Sequence, residues 1–368
     1  MRFIFKKIIF LFFTISLSHA SSERNSFFNP IHQHPEAFKN QRYHKKSFWL
    51  PHLNAHSPLI QNLKKIPLRK EVDLSPAFPA PFNQKEFPSC TSHSLIASVL
   101  YELIKQNYTT PKKAYRVDKL SVLYLHYKAH SYDENMPKEN PSGVDIRDAV
   151  EVLINHGICL ESLYPYDQHI ERSITPQMDE SAAKFRFTES KLVNEGEVSS
   201  ILDVENIASL EPTLENIKCI LNANCPVIGA MYVFNSTSSD TALKTGIFPM
   251  PAEDETSRDK AHAIVIAGYD DSKKAFLIHN SWGTELGTKA KSNHKGYFLL
   301  PYDYVDADLT FDLYKVGHID LPDMQAPFYK WTYENNPFQS FGNSNYFFAS
   351  INSLRCIRRL IGQVFKRK

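Results

Sequence analysis

The spacing of apolar residues changes once along the chain, and the change divides it. From Cys90 onward Leu95, Ile96, Val99, Leu100, Leu103 and Ile104 recur with the period of an α-helix and form one stripe. Pro88 and Ser89 stand where such a helix begins, with Ser89 as candidate cap, so Cys90 is expected in the first turn. Two more helices are predicted at 117–130 and 144–156, the latter ending at Gly157. Beyond residue 220 the runs shorten. Segments 225–234, 261–270, 274–282, 295–305 and 308–317 are rich in Val, Ile, Phe and Tyr and are separated by turn residues, which predicts strands. A helical lobe (about 83–167) followed by an antiparallel β lobe (about 220–318) is an α+β arrangement with a cleft where the lobes meet. Residues 168–210 and 235–260 are polar and read as surface excursions.

The two ends lie outside this pattern. "MRFIFKK", then "IIFLFFTISLS", then the small residues before Ser21 give residues 1–20 the form of a cleaved export signal, too short to span a bilayer. The chain is therefore expected to be secreted or periplasmic. Residues 21–70, rich in His, Asn, Pro and Lys, read as a leader or pro-segment, followed by the proline-rich "VDLSPAFPAPFNQ". The extension 319–368 ends in a run where Ile351, Leu354, Ile357, Leu360, Ile361, Val364 and Phe365 keep helical spacing beside six basic residues. That is a basic amphipathic helix, suited to an anionic membrane, an acidic partner or the body of the protein itself.

Charge removes one class of function. Taking Arg2, Lys6 and Lys7 away with the signal changes a formal +2 to −1, which gives no electrostatic basis for nucleic-acid binding. No CxxC pair and no HExxH occurs, so no metal or cofactor is expected. Cys90, Cys159, Cys219, Cys225 and Cys356 leave at least one thiol unpaired if the rest form bridges.

A hairpin turning near Asp271 would set His262 opposite Asn280. Such a pair fits a buried histidine with a satisfied hydrogen bond, and Cys90 fits a small core residue. It also fits catalysis. A thiol needs help to ionise, and a helix N-terminus with a neighbouring imidazole supplies it. Asn280 would then hold the imidazole tautomer, Trp282 would cover the Asn–His bond, and Gln84 and the Cys90 N–H would bind an oxyanion.

Four segments in order resemble those of papain-like cysteine peptidases, of the shorter-motif kind found in bacteria and viruses. They are "NQKEFPSCTS", "PSGVDIRDAVEVLINHGICLESLYPYD", "AHAIVIAGYDD" and "HNSWGTELG…KGYFLLPYDYV". The resemblance implies a two-lobed fold and a monomer acting on peptide or protein substrates. It implies Cys90 as nucleophile, His262 as base, Asn280 as orienter and Gln84 as oxyanion donor. Gly143, Ser142, Trp282 and Ala261 would line the substrate cleft. Lys85 and Glu86 depart from the family's glycine after the glutamine, Phe87 stands where a disulfide cysteine is usual, Pro88 replaces a glycine, and Ser142 replaces one of a glycine pair. Those losses keep a peptide-binding descendant without turnover, or an acyltransferase with the same triad, open beside hydrolysis.

Overall fold

The computed structural model describes residues 50–106, 111–112, 119–132, 143–166, 173–183, 187–188, 202–203, 207–287 and 295–319. The export signal, residues 21–49, Ser142 and the basic helix of the tail lie outside the described residues. Helices α1 (Pro58–Leu63), α2 (Cys90–Lys105), α3 (Val122–His130), α4 (Ile146–Asn155), α5 (Pro176–Ala182) and α6 (Leu214–Asn222) accompany an eight-stranded sheet. Its strands are β1 (His52–Leu53), β2 (Glu71–Asp73), β3 (Ile207–Leu210), β4 (Val227–Tyr232), β5 (Ala261–Asp270), β6 (Ala275–His279), β7 (Tyr297–Pro301) and β8 (Thr310–Val316). The order is β1-β3-β8-β4-β5-β6-β7, with β2 added to β5. Between the strands of this sheet, among the described residues, every ladder is antiparallel except β1 with β3. The class is α+β, as the change of period implied.

Helix α2 departs from the one-sided stripe. Residues 91–104 are all buried, including Ser92, His93, Ser94, Ser98 and Glu102. It is the central helix, packed between the sheet and the other helices, so its polar residues also need internal partners. Thr91 Oγ1 donates to Val144 O at 2.7 Å and Ser98 Oγ to Ser94 O at 3.1 Å. Helix α3 begins later than the pattern suggested, because Ser121 caps it by accepting from the Tyr124 N–H. Helix α4 ends on Gly157, whose φ of 81° suits glycine.

Two stretches read as lying outside the core contribute to it. Residues 50–70, assigned to the leader, supply β1 and helix α1, whose Ile60 and Leu63 are fully buried. Residues 207–210, assigned to a polar excursion, form β3 inside the sheet, with Ile207, Ala208 and Leu210 buried. Both strands are short, so the alternation that marks a strand has no room to develop.

The β5–β6 hairpin corrects the expected register. Asp270 pairs with Ala275 and Tyr269 with Phe276, so the loop is Asp271–Lys274 rather than a turn about Asp271. A bulge between Ile266 and Gly268 shifts the ladder again, and Val265 pairs with His279. Gly268 is required there, since a Cβ would lie 2.1 Å from the Val72 carbonyl oxygen of β2. The ladder ends at Val265 and His279, so His262 and Asn280 are not a ladder pair.

Candidate active site

The site forms where the N-terminus of α2 meets the start of β5. An extended segment ahead of α2 pairs with the chain leaving β6: Asn83 bridges Trp282, Gln84 N–H donates to Ser281 O at 2.8 Å, and Gly283 N–H donates to Phe82 O at 2.8 Å. These bonds place the Gln84 loop beside Asn280. Lys85 takes φ 54° and donates its N–H to the Asn83 side chain at 2.9 Å, so the loop keeps a left-handed turn with a lysine in the family's glycine position.

Cys90, the first residue of α2, is partly exposed. Burial pushes its thiol upward, but a hydrogen bond with the His262 side chain, the His262 charge and the backbone at Ala263 and Thr91 outweigh it. The net effect lowers the Cys90 pKa below the ordinary thiol value. His262 is buried on β5, and its Nε2 lies 2.8 Å from Asn280 Oδ1. Asn280 Oδ1 also accepts the Ser281 N–H at 2.8 Å, which fixes the orientation of the amide. His262 Nε2 must therefore be a donor, leaving Nδ1 as the nitrogen for the sulfur. The Trp282 indole stacks on the His262 ring at 4.8 Å and is itself held edge-on by Phe248 and Phe298. The His–Asn contact thus forms just beyond the end of the hairpin ladder, while Trp282 covers the ring.

Gln84 is buried and tied at each polar atom. Its side-chain Oε1 accepts from Ser281 Oγ at 2.5 Å, and its Nε2 donates to Phe87 O at 3.2 Å. Its backbone carbonyl accepts from Tyr166 Oη at 2.7 Å. Ser281 and Tyr166 were not singled out from the sequence. Their signal was position alone, Ser281 inside "HNSWG" and Tyr166 inside "YPYD".

The remaining sequence candidates divide. Ala261 opens β5, one residue before His262. Gly143 lies near Pro88, yet a Cβ there would meet only the Pro88 carbonyl oxygen at an ordinary 3.8 Å, so the fold itself does not demand glycine. Ser89 occupies the N-cap position of α2 without a side-chain cap bond; its hydroxyl faces Tyr166 and His93 instead. His93 and His279 lie beside the site and bond to backbone carbonyls. His93 Nδ1 is 3.0 Å from Ser89 O and His279 Nε2 is 3.1 Å from Pro79 O, and burial lowers their pKa values to about 3 and about 4. Cys159, Cys219 and Cys225 are buried, and no disulfide joins the cysteines among the described residues. Asn235, in one of the two Asn-x-Thr sequences, is exposed, whereas Asn107 lies outside the described residues.

Residues 131–303 match the papain family of cysteine proteases. That match includes His262 and Asn280 and starts after Cys90 and Gln84, which rest on the geometry above. An uncharacterized peptidase C1-like protein of Acanthamoeba polyphaga mimivirus is 26% identical over 256 residues, covering 69% of this chain and 75% of that protein. Among solved structures, xylellain, a cysteine protease from Xylella fastidiosa, superposes with a TM-score of 0.58 at 23% identity, over 75% of this chain and 94% of that one. At that identity the superposition speaks to the fold.

Proposed function

From a chain that is papain-like in fold and in sequence, we propose a peptidase in which Cys90 is the nucleophile. The observation that carries this reading is one imidazole placed between a thiol and a side-chain amide, with the thiol pKa lowered by that imidazole. In the reaction the Cys90 sulfur attacks the scissile carbonyl carbon, forming a C–S bond. The carbonyl oxygen gains negative charge and accepts from the Cys90 backbone N–H and from the Gln84 Nε2 hydrogen that Phe87 does not take. His262 then passes its Nδ1 proton to the leaving amine as the C–N bond breaks. Water, deprotonated by the same nitrogen, hydrolyses the thioester and regenerates the thiol and the carboxylate product. Asn280 holds the ring by its Nε2–H throughout and remains neutral.

Export is part of the proposal and rests on the basic, apolar and small-residue order of residues 1–20. N-terminal sequencing of the mature protein checks it, with Ser21 or a later residue expected and Met1 contrary. The catalytic reading is tested by following cleavage of a mixed peptide library by the purified protein and by Cys90→Ala. Turnover by the first and none by the second is expected. Undiminished cleavage by Cys90→Ala removes the reading, and binding without turnover by the native protein replaces it with a peptide-binding role.

A further inference from the structure

The Gln84 loop and the start of α2 must keep a fixed spacing if both are to donate to one oxygen, and a single hydroxyl bridges them. Tyr166 Oη donates to the Gln84 carbonyl at 2.7 Å, and Ser89 Oγ lies 2.8 Å from the same Tyr166 oxygen. A carbonyl can only accept, so the tyrosine proton points to Gln84 and Ser89 donates to the tyrosine. Ser89 Oγ also approaches Phe87 O at 3.4 Å, a weaker claim on the same proton. Behind Ser89, His93 Nδ1 lies 3.2 Å from Ser89 Oγ and 3.0 Å from Ser89 O. Since Ser89 O only accepts, His93 carries its proton on Nδ1, and the run reads His93 to Ser89 to Tyr166 to Gln84, each group donating onward. The run does not change protonation in the neutral range. Burial keeps the His93 imidazole uncharged and pushes the Tyr166 phenol upward. The tyrosine is fixed by its surroundings, with its ring edge-on to His93 at 4.9 Å and to Phe87 at 6.2 Å.

We infer that Tyr166 is a positioning residue for the Cys90 reaction, fixing the Gln84 loop against the residue that precedes the nucleophile. The inference rests on the peptidase reading above. Tyr166 belongs to the helical lobe and follows the turn at residues 161–163, so this lobe, which supplies the thiol, also sets the oxyanion loop. The hydroxyl bonds described run to the Gln84 carbonyl and to Ser89. Its removal is therefore expected to affect transition-state stabilisation and to leave substrate binding and the ionisation of the Cys90–His262 pair alone.

The test is a double-mutant cycle between Tyr166→Phe and Gln84→Ala. Rates are expressed per active site, titrated with a thiol-reactive peptide electrophile, so that loss of folded protein does not count. Tyr166→Phe is expected to lower kcat about tenfold, with KM within about twofold and an unshifted pH profile, the size of one hydrogen bond read at the transition state. In the Gln84→Ala background the same substitution is expected to cost much less, because the group it positions is gone. A merely structural tyrosine would give losses that multiply, and that result overturns the inference. So does a Tyr166→Phe enzyme with native kcat. Should Tyr166→Phe fail to fold, Ser89→Ala carries the same cycle, since that side chain makes no cap bond to α2. A native protein that neither cleaves peptides nor labels at Cys90 defeats the peptidase reading first and the inference with it.

Discussion

Cys90 and Cys159 are the same residue type in the same lobe, and burial pushes both thiols upward. In Cys159, inside the helical lobe and fully buried, burial wins and the pKa rises to about 12 despite a hydrogen bond with Ser121. In Cys90, at the junction of the lobes, the β lobe contributes the His262 imidazole and the backbone at Ala263, and the balance reverses. The Thr91 backbone contributes less than His262. The lowered Cys90 pKa arises at the lobe junction, with contributions from both lobes.

The largest expected effect separates the two thiols directly. Cys90→Ala should remove peptide cleavage, a loss of at least about 10⁴-fold in kcat. Cys159→Ala should leave kcat per active site unchanged and lower stability by about 1–2 kcal/mol through lost packing. Steady-state rates and thermal melts check both, and a Cys159→Ala protein without activity but with a native melt breaks the comparison.

Next come the two partners of the β lobe. His262→Ala should approach the loss seen for Cys90→Ala, because base and acid disappear together. Asn280→Ala should leave a measurable rate, because it loosens the ring without removing it. Equal losses in correctly folded proteins would make Asn280 structural.

The junction also carries an acid sensitivity. His93 and His279 pack beside the site with pKa values lowered by burial from 6.5 to about 3 and about 4, and His126 is lowered well below 6.5 by burial and the nearby His130. Above pH 6.5 these groups are neutral in both folded and unfolded chains and add no pH dependence. Between pH 6.5 and pH 4 the unfolded chain binds protons that the folded one does not, so stability should fall as pH falls. Melting temperatures recorded from pH 7 to pH 5, above the carboxylate range, should decline; a flat profile contradicts the neutral burial of these rings. The smallest effect belongs to the loop. Lys85→Gly relieves a left-handed lysine and should raise stability by up to about 1 kcal/mol.

The helices and most strands of the two lobes were legible because their apolar periods differ and their runs are long. Three of the four motifs supply Cys90, His262 and Asn280, which the fold brings together. Register was less legible. The Asp271–Lys274 loop and the bulge at Gly268 together shift the hairpin by two positions, and the close approach of Val72 O to Gly268 is a tertiary contact that no local spacing reveals. Burial around α2 was hidden by its serines, its histidine and its glutamate, polar residues that the apolar stripe does not include yet the fold encloses. Strands β1 and β3 were too short to show alternation. Ser281 and Tyr166 act through hydrogen bonds to a loop far away in sequence, and their roles appear only once the chain is folded.

The central claim is that the β lobe ionises Cys90, and the rate of thiol alkylation against pH tests it most directly. A small electrophile, with mass-spectrometric assignment of the modified cysteine, reads each thiolate separately. Cys90 should react first, with a midpoint below the ordinary thiol range, while Cys159 stays unreactive in the folded protein. In His262→Ala the strongest lowering interaction is gone and burial remains, so the Cys90 midpoint should move upward. An ordinary midpoint in the native protein, or one that His262→Ala leaves in place, would contradict the account.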